Sequence, residues 1–134
     1  QASFLEAFIH IGLIPDSGSL YFLPRIVGHA KALELAMLGE RISAEQAEEL
    51  GLVTKLIPED KWEKEVAAFA QRLAHLPTKA LGLMKRYLYA SWSETLSGML
   101  EKEAYGQRVA GLTEDHREGV QAFLEKRKPQ FKGR

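Results

Sequence analysis

The side chain best suited to chemistry is the carboxylate of Asp16, which lies in the run Ile11–Ser19 with sequence IGLIPDSGS. An apolar stretch ends at Pro15, and a Ser-Gly-Ser turn then leads into a helical pattern that begins near Leu20. This order predicts Asp16 at or near a helix amino terminus, where free N–H groups and the helix dipole favour negative charge. The carboxylate is therefore either an N-cap, a position at which aspartate is common, or a catalytic acid/base.

Other familiar chemical centres do not occur in the sequence. It contains no phosphate-binding GxxxxGKS or GxGxxG loop and no GxSxG nucleophile elbow. Because cysteine is absent, disulfides, thiolate zinc sites and cysteine nucleophiles are excluded. The histidines show no metal-ligand spacing, and they are His10, His29, His75 and His116. We expect no metal site.

The carboxyl terminus combines cations with aromatic side chains. These residues are Phe123, Lys126, Arg127, Lys128, Phe131, Lys132 and Arg134. One interpretation is a helix end carrying cations, which the helix dipole favours. The other is a small phosphate-binding patch beside an aromatic surface for a base. The residues by themselves leave both interpretations open.

Composition and charge exclude several classes of partner. The 134-residue chain has 18 Lys and Arg against 18 Asp and Glu, so its formal net charge is zero and a nucleic-acid partner is not expected. No apolar run is long enough to span a bilayer and no signal peptide pattern opens the chain, so we expect no membrane partner and a cytoplasmic location. The chain begins at Gln1, and we expect it to be the carboxyl-terminal part of a longer protein.

Two helices are predicted after the turn that carries Asp16. The first begins near Leu20, has apolar residues at helical spacing and ends at Gly28. The second runs from Ala30 to Leu38 and is stopped by Gly39. The preceding residues 2–9 are apolar-rich but too short for periodicity to separate strand from helix.

A capping box and a strand are predicted next. Ser43 and Gln46 have the spacing of an N-cap and its reciprocal partner, which indicates a short helix ending at Gly51. Residues 52–57 alternate and are partly β-branched, so they predict a strand closed by Pro58.

The remainder of the chain is predicted to be helical. Apolar stripes indicate helices beginning near Trp62, at Pro77-Thr78 with Trp92 on the buried face, over Ser93–Leu112, and after an N-cap at Thr113. We therefore expect a division into 1–60, the trailing part of an α/β core, and 61–134, a helical appendage.

The ordered set of motifs resembles the enoyl-CoA hydratase/isomerase (crotonase) family over essentially the whole chain. The matching segments are IGLIPDSG at 11–18, LPRIVG at 23–28, ALELAMLGE at 32–40, ISAEQA at 42–47, GLV at 51–53 and EGVQAFLEKRKP at 118–129. The resemblance implies an α/β, crotonase-like spiral fold, of which this chain is the carboxyl-terminal and mostly helical part. The first segment is most similar to that of phenylacetate-degradation isomerases, which act on a ring-epoxidised phenylacetyl-CoA.

By the same resemblance, Asp16 occupies the position at which several family isomerases keep their aspartate. Family hydratases use two glutamates; the first would precede Gln1, and Phe8 stands at the position of the second. Glu6 is near but does not match the motif, so no role is carried to it. Phe8, Pro15 and Gly18 are expected to line the substrate pocket, and Ser19 departs from a glycine pair common in the family.

The resemblance also implies how the substrate is held. Phe123 and Lys126 match positions that contact the adenine and phosphate end of CoA. The resemblance therefore implies an acyl-CoA substrate and no separate cofactor. It also implies that the intact protein is a homotrimer or hexamer, with 61–134 as the carboxyl-terminal helical region that serves oligomerisation. The two backbone N–H groups that hold the thioester enolate in this family would lie upstream of Gln1.

The resulting expectation is an acyl-CoA isomerase with Asp16 as acid/base, acting by double-bond migration or by rearrangement of 1,2-epoxyphenylacetyl-CoA. Alternatives are an enoyl-CoA hydratase and a delta3-delta2-enoyl-CoA or dienoyl-CoA isomerase. A non-enzymatic alternative is that this chain, inactive alone, is a folding or oligomerisation module.

Overall fold

The computed structural model describes residues 2–134, which belong to two compact units, Gln1–Lys61 and Trp62–Arg134. The first unit contains strand β1 (Ser3–Phe4), a 3₁₀ helix (Ala7–Ile11), helices α1 (Ser19–Val27) and α2 (His29–Leu38), strand β2 (Ile42–Ser43), helix α3 (Ala44–Glu49) and a 3₁₀ helix (Glu59–Lys61). The second contains α4 (Trp62–Ala74), α5 (Thr78–Ala90), α6 (Leu96–Gly111) and α7 (Glu114–Leu124). In residues 2–134, no helix is long and apolar enough to cross a membrane.

The core of the first unit is formed where α1 packs against α2. Leu23 of α1 and Ala32 and Leu35 of α2 are buried, and apolar residues of β2 and the segment after α3 pack around them. Both predicted helices are confirmed, with Gly39 ending α2 in a left-handed conformation. Their apolar spacing placed one stripe of each helix toward the other, as amphipathic helices require.

The amino-terminal residues, undecided from the sequence, contain both a strand and a helix. Strand β1 pairs antiparallel with β2, with Ser3 opposite Ser43 and Phe4 opposite Ile42. The chain then enters the first 3₁₀ helix. Local periodicity could not show this pairing because the two strands are two residues each and lie far apart in sequence.

The capping box at α3 is confirmed. Ser43 Oγ accepts a hydrogen bond from the Gln46 N–H at 3.2 Å, and Gln46 Oε1 accepts one from the Ser43 N–H at 2.8 Å. Two donors at the helix start are thereby satisfied reciprocally. The same Ser43 also ends β2, so the capping box begins α3 directly after the strand.

The strand predicted over residues 52–57 is wrong, because these residues form turns and irregular structure. The N–H groups of Leu52 and Val53 both donate to the Ala47 carbonyl, at 2.8 and 3.3 Å. The Leu56 N–H donates to Glu48 Oε1 at 3.1 Å. Donors that would join a sheet are therefore used to end α3 and to attach the following segment to it.

The helices of the second unit follow the predicted order, with two differences at their ends. Helix α6 begins at Leu96 rather than at Ser93, because Thr95 is its N-cap and accepts a hydrogen bond from the Gly98 N–H at 3.1 Å. Trp92, predicted on the buried face of α5, lies in the turn after that helix and is 38% exposed. The predicted N-cap Thr113 is confirmed.

Large apolar side chains remain exposed in both units. The most exposed are Ile11 (75%), Ile14 (74%), Leu96 (77%) and Phe123 (82%). Apolar stripes read from the sequence therefore do not all face a core within the described residues. Exposed apolar surface of this kind is typical of regions that contact other protein surface.

The close contact between the 3₁₀ helix Ala7–Ile11 and Gly39 predicts a large effect of a small substitution. Gly39 has φ +59°, and an added Cβ would lie 2.7 Å from Ile9 Cγ2 and 2.9 Å from His10 Nε2. We expect Gly39→Ala to lower the free energy of unfolding of the intact protein by about 2–4 kcal/mol, through backbone strain and overpacking. Urea denaturation measures the change.

Gly51→Ala is the matched control for this substitution. Gly51 has φ +75° but nothing within 4 Å of the added Cβ, so only the backbone term applies, at about 1 kcal/mol. Equal destabilisation by the two substitutions would show that the contact with Ile9 and His10 has no energetic weight.

Candidate functional site

The residues that could do chemistry in the first unit lie in the turn between the first 3₁₀ helix and α1. Ser17 and Gly18 both have positive φ, +52° and +88°, and Ser19 begins α1. The Ser19 N–H donates to the carbonyl oxygen of Asp16 at 2.8 Å, which closes the turn. Two consecutive residues in the left-handed region turn the chain sharply directly after Asp16.

The N-cap interpretation of Asp16 is wrong, because Gly18 is the N-cap of α1 and makes no side-chain cap hydrogen bond. Asp16 precedes it by two residues, and its carboxylate Oδ1 accepts a hydrogen bond from Ser17 Oγ at 2.9 Å. The side chain is exposed. The carboxylate is thus not consumed by helix capping and is accessible for proton transfer.

A side chain at Gly18 would crowd the Phe22 ring, in addition to adopting an unfavourable φ. A Cβ added here would lie 3.0 and 3.1 Å from two ring atoms of Phe22, one turn along α1. Phe8 and Pro15 are half-buried, and the Phe8 carbonyl accepts a hydrogen bond from the Leu13 N–H at 3.0 Å. The expected pocket roles of Phe8, Pro15 and Gly18 stay predictions.

A second carboxylate approaches the same turn. Glu6 Oε1 accepts a hydrogen bond from Ser19 Oγ at 2.6 Å, and this pair is partly buried. Glu6 also lines a cavity of about 160 Å³ together with apolar side chains that include Leu23 and Leu35. Sequence reasoning gave Glu6 no role, and no local pattern links it to Ser19 across 13 residues.

In the second unit, Phe123 and Lys126 lie at the same turn. Phe123 is near the end of α7, and its carbonyl accepts a hydrogen bond from the Lys126 N–H at 3.2 Å. Lys126 has φ +55°, so the chain leaves the helix axis there. The Phe123 ring is 82% exposed and borders a cavity of about 390 Å³, which Phe131 also lines.

The neighbouring Arg127 is held by ion pairs. Its guanidinium donates to both carboxylate oxygens of Glu118, at 2.6 and 2.9 Å, and to Glu125 at 2.5 Å. Hydrogen bonds from Arg127, with the Gln130 N–H adding a further one, lower the pKa of Glu118 to about 2. Hydrogen bonds from Gln121 and then Arg127 lower the pKa of Glu125 as well. Arg127 therefore has a structural role, because its guanidinium already donates hydrogen bonds to two carboxylates rather than being left to bind a phosphate.

The last residues are tied to α7 by a buried carboxylate. Asp115 is 3% exposed and accepts hydrogen bonds from the N–H groups of Lys132 and Gly133, at 2.6 and 2.9 Å. Its own N–H donates to the Arg134 carbonyl at 3.0 Å. The tail thus runs back along α7. These hydrogen bonds fix the backbone position of the cationic residues Lys132 and Arg134.

A metal site is not formed in the described part of the chain. Among residues 2–134, no three or more His, Asp or Glu side chains are grouped so that they could hold a metal ion. The ring N–H of His10 instead donates from Nε2 to the Gly39 carbonyl at 2.8 Å. This histidine therefore connects the 3₁₀ helix to the end of α2.

The chain is similar to known proteins over its whole length. The sequence profile described as Enoyl-CoA hydratase/isomerase matches residues 1–134. The chain is 44% identical over 134 residues to 1,2-epoxyphenylacetyl-CoA isomerase of Escherichia coli K12, covering 100% of this chain and 51% of that protein. It is also 44% identical to "Probable enoyl-CoA hydratase" of Rhodobacter capsulatus, covering 100% of this chain and 52% of that protein.

Solved structures give the same result. The crystal structure of an enoyl-CoA hydratase from Bacillus anthracis superimposes with a TM-score of 0.93 at 34% identity, covering 100% of this chain and 52% of that chain. The expected crotonase-like fold is confirmed, and this chain is a mostly helical part of it. The chain spans about half the length of the relatives it matches.

The Arg127–Glu118 pair predicts an acid-sensitive tail. Because the pKa of Glu118 is about 2 in the folded chain against 4.5 ordinarily, the pair contributes stability above about pH 4.5 and loses it as the pH falls toward 2. We expect protection of the Gln130 amide, which donates to Glu118 at 2.7 Å, to fall over this range. Hydrogen exchange, corrected for the intrinsic rate at each pH, measures it.

The His116 amide is the internal reference, since it donates to the neutral hydroxyl of Thr113 on the same helix. Its protection should remain while that of Gln130 falls. Glu118→Gln, which does not titrate, should remove most of the step. A Gln130 amide that stays equally protected from pH 5 to pH 2.5 in the native protein contradicts the prediction.

Proposed function

This chain belongs to the enoyl-CoA hydratase/isomerase family, and on that premise we propose that the intact protein is an acyl-CoA isomerase with Asp16 as its acid/base. The observation that carries this proposal is the state of the Asp16 carboxylate. It lies in a turn closed by backbone hydrogen bonds, is exposed, and is not used to cap α1. A carboxylate in that state can accept a proton and return it.

Isomerisation is favoured over hydration by the side chains around the turn. Hydration of an enoyl-CoA in this family employs two glutamates, and Phe8 stands where one of them is expected. Glu6 is engaged with the Ser19 hydroxyl. Asp16 is therefore the acid/base candidate that remains, and one carboxylate suffices to carry a proton between two carbons.

The proposed chemistry has two parts. Asp16 removes a proton from a carbon near the thioester carbonyl, and the pair of electrons left behind moves into the carbonyl as an enolate. The same side chain, now protonated, returns the proton at another carbon, so the double bond has migrated and Asp16 is an anion again. With the ring epoxide as substrate, the carbon–carbon bond shared by the epoxide and the six-membered ring also opens, its electron pair moves into the double bonds of the resulting seven-membered oxepin ring, and no atom is gained or lost. Backbone N–H groups that stabilise the enolate would come from the rest of the intact protein.

The substrate we propose is 1,2-epoxyphenylacetyl-CoA, whose isomerisation is the activity in the name of the Escherichia coli relative. The segment around Asp16, which is most similar to that of phenylacetate-degradation isomerases, supports this choice. Because the Rhodobacter capsulatus relative is equally similar and is named a hydratase, hydration of an enoyl-CoA is the second candidate.

Asp16→Asn in the intact protein tests the proposed role. Because asparagine keeps the shape but cannot take the proton, we expect kcat for isomerisation to fall by about 10²- to 10⁴-fold. Binding of a CoA thioester, measured by calorimetry, should change little. Asp60→Asn is the control, since Asp60 is an exposed acidic residue in the short 3₁₀ helix Glu59–Lys61.

Unchanged isomerisation by the Asp16 variant overturns the proposal. Water addition to a 2-enoyl-CoA by the unmodified protein, at a rate similar to isomerisation, favours the hydratase instead. Each substrate is followed by loss or gain of its conjugated chromophore, so the two outcomes are read separately.

We further propose that Lys126 and Phe123 contact the nucleotide end of CoA. Arg127 forms ion pairs with Glu118 and Glu125, whereas the Lys126 amine makes no ion pair among those described for residues 2–134. The adjacent Phe123 ring is exposed, and an exposed aromatic face suits a purine. The segment directly after Lys126 is attached to α7, because the Arg127 side chain and the Gln130 N–H both donate to Glu118.

Lys126→Ala is expected to raise KM for the CoA thioester by about three- to tenfold with kcat nearly unchanged, because an exposed ion pair with phosphate adds only binding energy. The control is Lys64→Ala, an exposed lysine on α4. The same increase in KM for a substrate carried by pantetheine, which has no adenine or 3′-phosphate, contradicts the assignment.

A further inference from the structure

We propose that Glu6 is a positioning residue for Asp16, acting through the hydroxyl of Ser19; this inference rests on the proposed function. The contact is short: Ser19 Oγ donates to Glu6 Oε1 at 2.6 Å in a partly buried position. O–H···O bonds of this length are characteristic of an ionised acceptor and are stronger than neutral ones.

Both hydrogen-bond donors of Ser19 have partners. Its hydroxyl is bound by Glu6, and its N–H donates to the carbonyl of Asp16 at 2.8 Å. A chain of two hydrogen bonds therefore joins the Glu6 carboxylate to the backbone of Asp16. Loss of either bond frees the first turn of α1 to move relative to the 3₁₀ helix that follows Glu6.

The turn needs such a restraint because its backbone is strained. Ser17 has φ +52°, a conformation that residues with a Cβ adopt at a cost. Strained turns persist only when surrounding contacts over-determine them. The Glu6–Ser19 bond is a contact of this kind, since it joins residues 13 apart and makes no use of the turn's own backbone.

Among the described residues, the Glu6 side chain does not cap the helix that follows it. It precedes the first 3₁₀ helix at the N-cap position but makes no side-chain cap hydrogen bond there. Beside it lies the cavity bordered by Leu5, Leu23 and Leu35. A carboxylate next to apolar side chains is costly unless it is hydrogen-bonded, and Ser19 supplies that bond.

The test uses four variants of the intact protein: Glu6→Ala, Glu6→Gln, Ser19→Ala and the double variant Glu6→Ala/Ser19→Ala. A glutamine side chain still accepts the Ser19 hydroxyl, so Glu6→Gln should keep kcat within about twofold. Glu6→Ala should lower kcat by about tenfold or more, with KM for the CoA thioester nearly unchanged, because a misplaced acid/base affects the reaction more than binding. Ser19→Ala should resemble it.

The double variant decides whether Glu6 acts through Ser19. If it does, the double variant should be no worse than either alanine variant alone. Glu40→Ala is the matched control, because Glu40 borders the same cavity, and it should leave kcat unchanged. Additive losses in the double variant, or full activity of Glu6→Ala, overturn the inference.

Glu6→Gln also separates positioning from direct catalysis. If Glu6 transferred protons itself, Glu6→Gln would lose activity to the same degree as Asp16→Asn, and that result overturns the inference as well. The pH profile of kcat gives a second check: Glu6→Gln should keep the acidic limb of the unmodified protein, which a lost proton carrier would remove.

A readout independent of activity distinguishes this inference from the proposed function. Protection of the Ser19 amide against hydrogen exchange should fall in Glu6→Ala and remain in Glu6→Gln, with far-UV circular dichroism confirming that both variants fold. If Asp16→Asn is fully active, the proposed function fails, and the Ser19 amide still shows whether Glu6 holds the turn. An amide equally protected in both Glu6 variants overturns the inference.

Discussion

The turn from Pro15 to Ser19 depends on the absence of a side chain at Gly18. Residues with a Cβ adopt its φ of +88° only at a cost, and an added Cβ would lie 3.0 Å from the nearest atom of the Phe22 ring, which would have to shift. Because the backbone closes the turn through Asp16 and Ser19, the helix start needs no carboxylate as a cap. The Asp16 side chain is therefore not used as a helix cap, and the proposed chemistry depends on this.

Both units use one carboxylate to hold a segment that is distant in sequence. Glu6 binds the hydroxyl of Ser19, and Asp115 binds two backbone N–H groups in the tail, 17 and 18 residues away. The first of these segments follows Asp16 directly, and the second includes Phe131, which lines the same cavity as Phe123. Directional hydrogen bonds set the position of such segments more narrowly than apolar contacts do, since apolar attraction has no direction.

Cationic residues at the carboxyl terminus illustrate how structure separates roles that sequence leaves joined. Arg127 and Lys126 are neighbours, yet only Arg127 forms ion pairs with Glu118 and Glu125. Lys126 has φ +55° and lies where the chain turns away from the end of the helix. The planar guanidinium suits two carboxylates at once, which explains why arginine takes the structural position. Lys126 is left for the phosphate contact that we propose.

Sequence alone determined the features whose causes lie within about four residues. The capping box of Ser43 and Gln46, the N-cap Thr113 and the end of α2 at Gly39 follow from hydrogen bonds and φ preferences that are local. The ordered motifs also identified the family and fold. The strand predicted over 52–57 failed because donors there bind back to α3, and local alternation cannot report that.

Only the tertiary structure decided the pairing of β1 with β2, the link from Glu6 to Ser19 and the attachment of the tail to Asp115. It also decided that Asp16 is not a cap, since Gly18 and the backbone complete the turn without its side chain. Each of these depends on which atoms lie within hydrogen-bond distance after folding. A linear pattern does not contain that information, because the partners are brought together by the packing of other elements.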